Sequence, residues 1–132
     1  MRSQSIGVET SVSSSGVPQA AVVGFVVSDL FEVFFDTVDS TRKATNLRKN
    51  PQIAFVIGGF LASDERTVQL QGIVDEPKGS ELEHLKELYF SRFPDGRDRL
   101  NWPGLVYFRA RPTWLRFSDF RQSSPEIAEF DF

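Results

Sequence analysis

The chain has 132 residues, a formal net charge of −3 and 40% hydrophobic residues, which suits a single domain with an ordinary core. It lacks cysteine, so disulfides and thiolate metal sites are excluded, and a single histidine, His84, argues against a metal site built from several histidines. The acidic balance argues against a general nucleic-acid binder. No apolar run reaches the length of a membrane-spanning helix and the N-terminus shows no secretory pattern, so a cytoplasmic protein with no membrane or nucleic-acid partner is expected.

Short apolar runs separated by turn residues predict antiparallel strands in the first 40 residues. Residues 6–12 and 17–27 are predicted to be strands joined by a hairpin at the serine–glycine cluster 13–16, and residues 31–37 to be a third strand. The run 17–27 is almost continuously apolar, which is typical of a strand covered on both faces.

A polar turn and a short helix are predicted for residues 38–51. Asp39 or Ser40 is expected to be the N-cap, because either side chain can accept a hydrogen bond from an N–H of the first turn. Pro51 restricts the residue before it, so the helix should end by about Lys49.

Two adjacent cations, Arg42 and Lys43, fall in the first turn of this helix, where the positive end of the helix dipole disfavours them. Together with free helix N–H groups and the hydroxyls of Thr37 and Thr41, they have the composition of an anion site, above all for a phosphate. The ligand would then supply the negative charge that the helix start lacks. The alternative is a solvated surface in which two nearby carboxylates neutralise the cations, those of Asp36 and Asp39.

The second half of the chain begins with two strands, residues 52–57 and 66–76. Alternation in the latter places Val68, Leu70 and Val74 on one face, and Gly72 interrupts that face as a bulge would. A loop is predicted for residues 60–65 between them.

A second helix is predicted after residue 79, with Ser80 as N-cap and Glu83 completing a capping box, and with Pro94 ending the helix after Phe93. His84 lies off its leucine stripe and is expected to be solvated. Residues 95–103 are predicted to be a loop, and residues 105–120 to be two strands broken at Pro112.

About six or seven strands with two short helices predict a mainly β fold, a small closed or nearly closed barrel. Hairpin-length connections favour antiparallel neighbours. Without repeats or domain boundaries, residues 1–132 are expected to form one domain. Its polar tail, residues 121–132, is expected to be mobile or packed on a partner.

Several segments in order resemble the pyridoxamine 5'-phosphate oxidase-like family of FMN-binding split barrels. They are residues 16–21 (GVPQAA), 34–37 (FFDT), 41–43 (TRK) with 46–47 (NL) and 50–51 (NP), and 65–72 (ERTVQLQG). The order and spacing hold from about residue 5 to residue 120. The resemblance implies a six-stranded antiparallel split barrel and a homodimer with FMN at its interface. Association is expected to bury the phenylalanine-rich strands.

The resemblance also assigns site residues. The residues that fall where the family holds the FMN phosphate are Thr37, Thr41, Arg42 and Lys43. Thr67 falls where the oxidases often carry a glutamine that contacts the flavin ring. With the helix-start Ser40 included, the candidate cofactor-binding residues are Thr37, Ser40, Thr41, Arg42, Lys43 and Thr67. No metal ligand is expected, and no catalytic side chain is identified, because a flavin carries the redox chemistry itself.

Two departures bear on the activity. Residues 17–27 lack the arginine and lysine that the oxidases carry there, and the C-terminal arginine-leucine-x-proline pattern is missing. The leading hypothesis is therefore an FMN-dependent oxidoreductase of unknown small-molecule substrate rather than an oxidase of pyridoxamine phosphate. The alternatives are a non-catalytic flavin or deazaflavin carrier of the same fold, and a barrel without cofactor that works through its dimer surface.

Overall fold

A computed structural model describes all residues of the chain, 1–132, as one antiparallel sheet with two α-helices and one 3-10 helix. The strands are β1 (Ile6–Val12), β2 (Pro18–Gly24), β3 (Val26–Val27), β4 (Val33–Val38), β5 (Gln52–Gly58), β6 (Arg66–Asp75), β7 (Leu105–Asp119) and β8 (Glu126–Asp131). The helices are α1 (Arg42–Lys49), α2 (Gly79–Arg92) and the 3-10 helix Pro94–Asn101.

The strands pair in the order β2-β1-β5-β6-β7-β4-β3, and β8 adds to the second half of β7. All pairings are antiparallel. The sheet curls, so that Val23 of β2 and Val27 of β3, near its two ends, join one hydrophobic core. The predicted mainly β split barrel is confirmed, but with eight strands instead of six, because the short β3 and the C-terminal β8 are separate strands.

Alternation along β4 divides the apolar residues between two cores. Phe35 lies inside the barrel with Phe55 and Phe108. The preceding residue, Phe34, faces the other side and packs under α2, where its ring stacks on Tyr107 at a centroid distance of 5.4 Å. These aromatic rings are buried within the chain and contribute to both cores.

The second helix starts earlier than predicted. Lys78 occupies the N-cap position without a side-chain cap, so the prediction of Ser80 as N-cap is wrong. Gly79, with a φ of +62°, turns the chain into the helix one residue before Ser80. The predicted loop after Pro94 is instead mostly the 3-10 helix, which a proline in the first turn suits. Neither α-helix has the length and hydrophobicity that a bilayer-spanning helix requires.

A bulge explains why β7 runs unbroken through Pro112, contrary to the predicted two strands. The register between β6 and β7 shifts between Gln71 and Gly72, and Pro112 pairs with Gly72. A bulge leaves backbone groups unpaired, so the missing N–H of the proline is tolerated there. The irregularity predicted at Gly72 is thereby confirmed, with the extra residue, Thr113, on β7.

Two other segments also differ from the prediction. The apolar run 17–27 is divided at Phe25, whose N–H donates to the carbonyl oxygen of Ser5 at 3.1 Å instead of continuing the ladder. In the tail, residues 126–131 form the regular strand β8 rather than a mobile segment, because they find a free edge on β7.

We expect Gly72→Ala to destabilise the fold by about 1–3 kcal/mol, the typical cost of forcing extra volume into a packed site. The added Cβ would lie 2.5 Å from the carbonyl oxygen of Arg111, a backbone atom fixed by strand pairing. Urea unfolding followed by circular dichroism measures the change. Gln71→Ala, at the exposed neighbouring position, is the control and should change stability by no more than about 0.5 kcal/mol. Equal unfolding midpoints for the two variants would contradict the close approach.

Candidate functional site

Helix α1 is capped by Thr41. Its backbone is extended, with φ −74° and ψ 154°, and its Oγ1 accepts a hydrogen bond from the N–H of Ala44 at 3.3 Å. The prediction of Asp39 or Ser40 as N-cap is wrong, because the helix begins at Arg42, three residues after Asp39, and Thr41 occupies the cap position. The end at Lys49 is as predicted.

A chain of hydrogen bonds joins the cap to a buried threonine and a lysine. The Thr41 hydroxyl donates to the carbonyl oxygen of Val38 at 2.8 Å, so the hydrogen between Thr37 and Thr41, whose oxygens are 3.2 Å apart, comes from Thr37. Lys43 Nζ in turn donates to Thr37 Oγ1 at 2.8 Å. An ammonium has three N–H donors, so Lys43 keeps two for a further acceptor.

The two aspartates of the alternative interpretation point elsewhere. Asp36 accepts hydrogen bonds from the Tyr89 hydroxyl at 3.0 Å and from Arg99 Nε at 3.2 Å, on the opposite face of β4 from Thr37. Burial, reinforced by the Asp36 charge, raises the pKa of Tyr89, which keeps its hydroxyl a neutral donor. The carboxylate of Asp39 lies against Gly104.

The cations of the first turn therefore have no acidic partner. None of the ion pairs in the chain includes Arg42 or Lys43. The first turn of α1 also contains no acidic residue. Two cations at the positive end of a helix, with donors to spare, form an electrostatic environment that an anion would stabilise.

The structure brings together most of the candidate residues. Thr37, Thr41 and Lys43 are in direct contact, and Arg42 and Ser40 flank the cap on the exposed side. Thr67 lies elsewhere: it is at the start of β6, beside Ser118 of β7, whereas Thr37 pairs with Val106 near the other end of β7.

The sequence reasoning missed Glu9. Alternation on β1 turns its side chain into the barrel, where it is 0% exposed, and neither carboxylate oxygen has a hydrogen-bond partner. Burial raises the pKa of Glu9 to about 7, and the positive charge of Lys43 opposes that rise. The available signal was an acidic residue at the inward position of an otherwise alternating strand.

Asn46 seats α1 on the end of the barrel. Its side-chain amide donates to Ser11 Oγ at 3.2 Å and to Gln19 Oε1 at 3.1 Å, so both amide hydrogens are used. Ser11 follows Glu9 on the same face of β1. The barrel end beneath α1 is thus polar, in contrast to the phenylalanine-rich middle.

A separate cleft of about 320 Å³ lies between α2 and β3 and includes His84, which is exposed as predicted. Two arginines line it, and both are engaged. Arg2 pairs with Asp29 at 2.7 Å, and Arg92 donates to the carbonyl oxygen of Arg2 at 3.1 Å. This cleft shares no residue with the cluster at the start of α1.

A family model described as pyridoxamine 5'-phosphate oxidase matches residues 1–119. The chain belongs to this family. The match spans the sheet from β1 to the end of β7 and includes the cluster at the start of α1. No curated protein matches the sequence.

Solved structures share the fold at low sequence identity. A heme binding protein from Mycobacterium smegmatis has a TM-score of 0.83 and 15% identity over 98% of this chain, which spans 53% of that protein, about half its length. HutZ, the heme storage protein from Vibrio cholerae, has a TM-score of 0.73 and 15% identity, covering 94% of this chain and 86% of its own. An FMN binding protein from Nostoc punctiforme, related to pyridoxamine 5'-phosphate oxidase, has a TM-score of 0.70 and 11% identity, covering 97% and 86%.

We expect Glu9→Gln to stabilise the protein by up to about 3 kcal/mol above about pH 7 and to leave it unchanged below about pH 4.5. The folded chain holds the Glu9 proton more tightly than the unfolded chain, so the wild-type protein loses stability as the pH rises from 4.5 to about 7. Urea midpoints across this range measure the difference. Glu65→Gln, at an exposed position, is the control, and a pH-independent difference for Glu9→Gln would contradict the buried carboxyl.

Proposed function

We propose that the chain binds FMN and acts as an FMN-dependent oxidoreductase on a small-molecule substrate. The observation that carries the proposal is the start of α1, where Arg42 and Lys43 have no acidic partner and two hydroxyls accompany them. A phosphate would satisfy these groups. Membership in the family, and a fold shared with an FMN binding protein, favour a flavin as the carrier of that phosphate.

The residues present fit a phosphate group. Lys43 has two free donors, Arg42 offers a planar guanidinium, and the first N–H groups of a helix have no partner within it. Thr37 fixes the lysine from the protein side, so the ammonium is held in place before the ligand arrives. FMN would supply the hydride and electron chemistry, and the chain would bind it, orient it and shape a slot for the substrate.

The separation of Thr67 from the cluster supports a homodimer with the cofactor between chains. Val106 and Ser118, the partners of Thr37 and Thr67, are twelve residues apart on β7. An extended strand rises about 3.3 Å per residue, so the contour between them is on the order of 40 Å. This contour is the upper bound of their separation, and its length favours a site in which the two threonines come from different chains.

An exposed row of valines is the surface that fits the second chain. Val22, Val8 and Val56 are cross-strand partners on the outer face of β2, β1 and β5, and two of them are 67% and 41% exposed. The next row contains Ala20 and Ala54. The expected interface was the phenylalanine-rich strands, but Phe34, Phe35, Phe55 and Phe108 are already buried within the chain, so we propose the valine-bearing face instead.

Heme is the second candidate ligand, because two of the structurally similar proteins bind or store heme by name. Its carboxylates would meet the same cations as a phosphate. Histidine is the commonest metal ligand, but the single histidine, His84, lines the cleft beside β3 and not the cluster at the start of α1. This placement favours FMN.

A visible spectrum of the purified chain, loaded with FMN and then washed, tests the proposal. A retained two-band flavin spectrum is expected. Reduction of the bound flavin by NADH or NADPH, followed by turnover of an acceptor, separates an oxidoreductase from a carrier. A chain that retains only hemin, with a Soret band, or only a deazaflavin would overturn the assignment of FMN.

The double variant Arg42→Ala with Lys43→Ala should weaken FMN binding by about 2–5 kcal/mol, since charge-assisted hydrogen bonds contribute about 1.5–3 kcal/mol each. Fluorescence titration of FMN measures the affinity. Lys49→Ala, at the exposed opposite end of the same helix, is the matched control and should bind as the wild type does. An unchanged affinity in the double variant would defeat the phosphate assignment.

Light scattering should give the mass of two chains for the wild type and of one chain for Val56→Glu. A charge left unpaired in an interface costs about 3 kcal/mol or more, which raises the dissociation constant of the dimer by at least about 100-fold. Leu30→Glu, at a 73% exposed position in the turn before β4, is the control and should remain dimeric. A monomeric wild type would count against the shared site.

A further inference from the structure

We propose that Glu9 is a positioning residue of the anion site and that a phosphate ligand binds there together with a proton taken up by the Glu9 carboxyl. The inference rests on the proposed function, because it concerns the same cluster at the start of α1. It adds a residue on β1, inside the barrel, to a site otherwise formed by β4 and α1.

No neighbouring group holds the Glu9 carboxyl in one protonation state, so a change in nearby charge can protonate or deprotonate it. Its cross-strand neighbours, Ala21 and Phe55, offer it no polar side chain, and both of its oxygens are buried without a donor. Buried polar groups nearly always have hydrogen-bond partners, and a carboxylate with none is a marked exception. Burial alone therefore favours the protonated, neutral form.

Lys43 is the charged group that acts on this carboxyl. Its positive charge opposes the rise that burial causes in the pKa of Glu9. The geometric link is the hydrogen bond from Asn46 of α1 to Ser11, which lies two residues after Glu9 on the same buried face of β1. The other polar groups nearby already have partners. The Asn46 amide donates to Ser11 and Gln19. Asp36 faces α2, and Asp39 lies against Gly104. Arg42 is on the exposed side of the helix start.

Glu9 and a bound phosphate would compete for the same ammonium. Without ligand, the field of Lys43 supports ionisation of Glu9, although the two groups form no ion pair. With a dianionic phosphate on Lys43, that support is cancelled and a second negative charge is added nearby, so ionised Glu9 becomes unfavourable. Binding therefore consumes one proton from water at each Glu9 that was ionised beforehand.

The consequence is an affinity that falls as the pH rises. Below the pH at which Glu9 ionises, the site is ready for the anion and no proton is needed. Above it, each binding event must also protonate Glu9, and the affinity declines with pH until Glu9 stays ionised in the complex. The phosphate of FMN gives the opposite dependence, because it becomes a dianion above about pH 6.

The test is the dissociation constant of FMN between about pH 6.5 and about pH 8.5, where the phosphate is mostly a dianion. We expect the wild type to bind about tenfold more weakly at the upper pH, and Glu9→Gln to change by less than about twofold. Calorimetry in two buffers of different ionisation enthalpy should show proton uptake by the wild type and none by Glu9→Gln. Glu65→Gln, at an exposed position, is the control and should behave as the wild type.

The outcomes separate this inference from the proposed function. Equal pH profiles for the wild type and Glu9→Gln, with FMN bound, would overturn the role of Glu9 alone. Failure of the wild type to bind FMN at any pH would overturn the FMN proposal. The role of Glu9 is then decided with inorganic phosphate, by the carbon NMR titration of the Glu9 carboxyl in the wild type.

That titration also decides the matter if Glu9→Gln does not fold. Saturating inorganic phosphate should move the titration midpoint of Glu9 to higher pH, relative to chloride at the same ionic strength. An unchanged midpoint would overturn the coupling. A residue with only a structural role would not show this response.

Discussion

The two-residue period of β4 is the constraint on which the site depends. Because successive side chains of a strand point to opposite faces, Thr37 faces the barrel end beneath α1 while Asp36 faces α2. Asp36 is thereby removed from the cations of α1 and used instead by Tyr89 and Arg99. Had the register of β4 slipped by one residue, the carboxylate would face the first turn of α1 and neutralise it. The unpaired positive charge is thus a product of strand geometry.

Helix α1 covers one end of the barrel with polar side chains, whereas the middle of the barrel is apolar. Asn46 ties the helix to β1 and β2, and Thr41 ties it to the end of β4. Charged and polar groups beneath the helix are therefore shielded from water, which lowers the stability of the fold. Glu9 is buried with no hydrogen-bond partner, an arrangement that a structure optimised for stability alone would replace with an apolar side chain. Local violations of this kind are typical of functional sites.

Strand β7 determines how far apart Thr37 and Thr67 lie. It pairs with β4 at its first half, with β6 through the bulge at Gly72, and with β8 at its second half. Thr37 lies beside its first part and Thr67 beside its last part, and for this reason the proposed flavin site would draw on two chains. A valine-bearing face on β2, β1 and β5 lies on the same sheet and is the surface that we propose for the contact between two chains.

The sequence by itself determined the features that depend on neighbouring residues. The strands β1 and β5, the end of α1 at Lys49, the bulge at Gly72 and the composition of the cluster at the start of α1 all follow from alternation, turn residues and prolines within a few positions. Membership in the family could be recognised from the same motifs, because they carry the cluster itself.

Only the tertiary structure decided the features that depend on which strands meet. Pro112 is tolerated within β7 because β7 itself carries an extra residue, Thr113, opposite the step from Gln71 to Gly72 of β6. Asp36 is diverted by residues of α2 and the 3-10 helix, far away in sequence. Burial of Glu9 requires the sheet to curl over it. Local signals cannot specify the outcomes at Pro112 and Asp36, because their partners lie tens of residues away in sequence and are brought near only by the closure of the barrel.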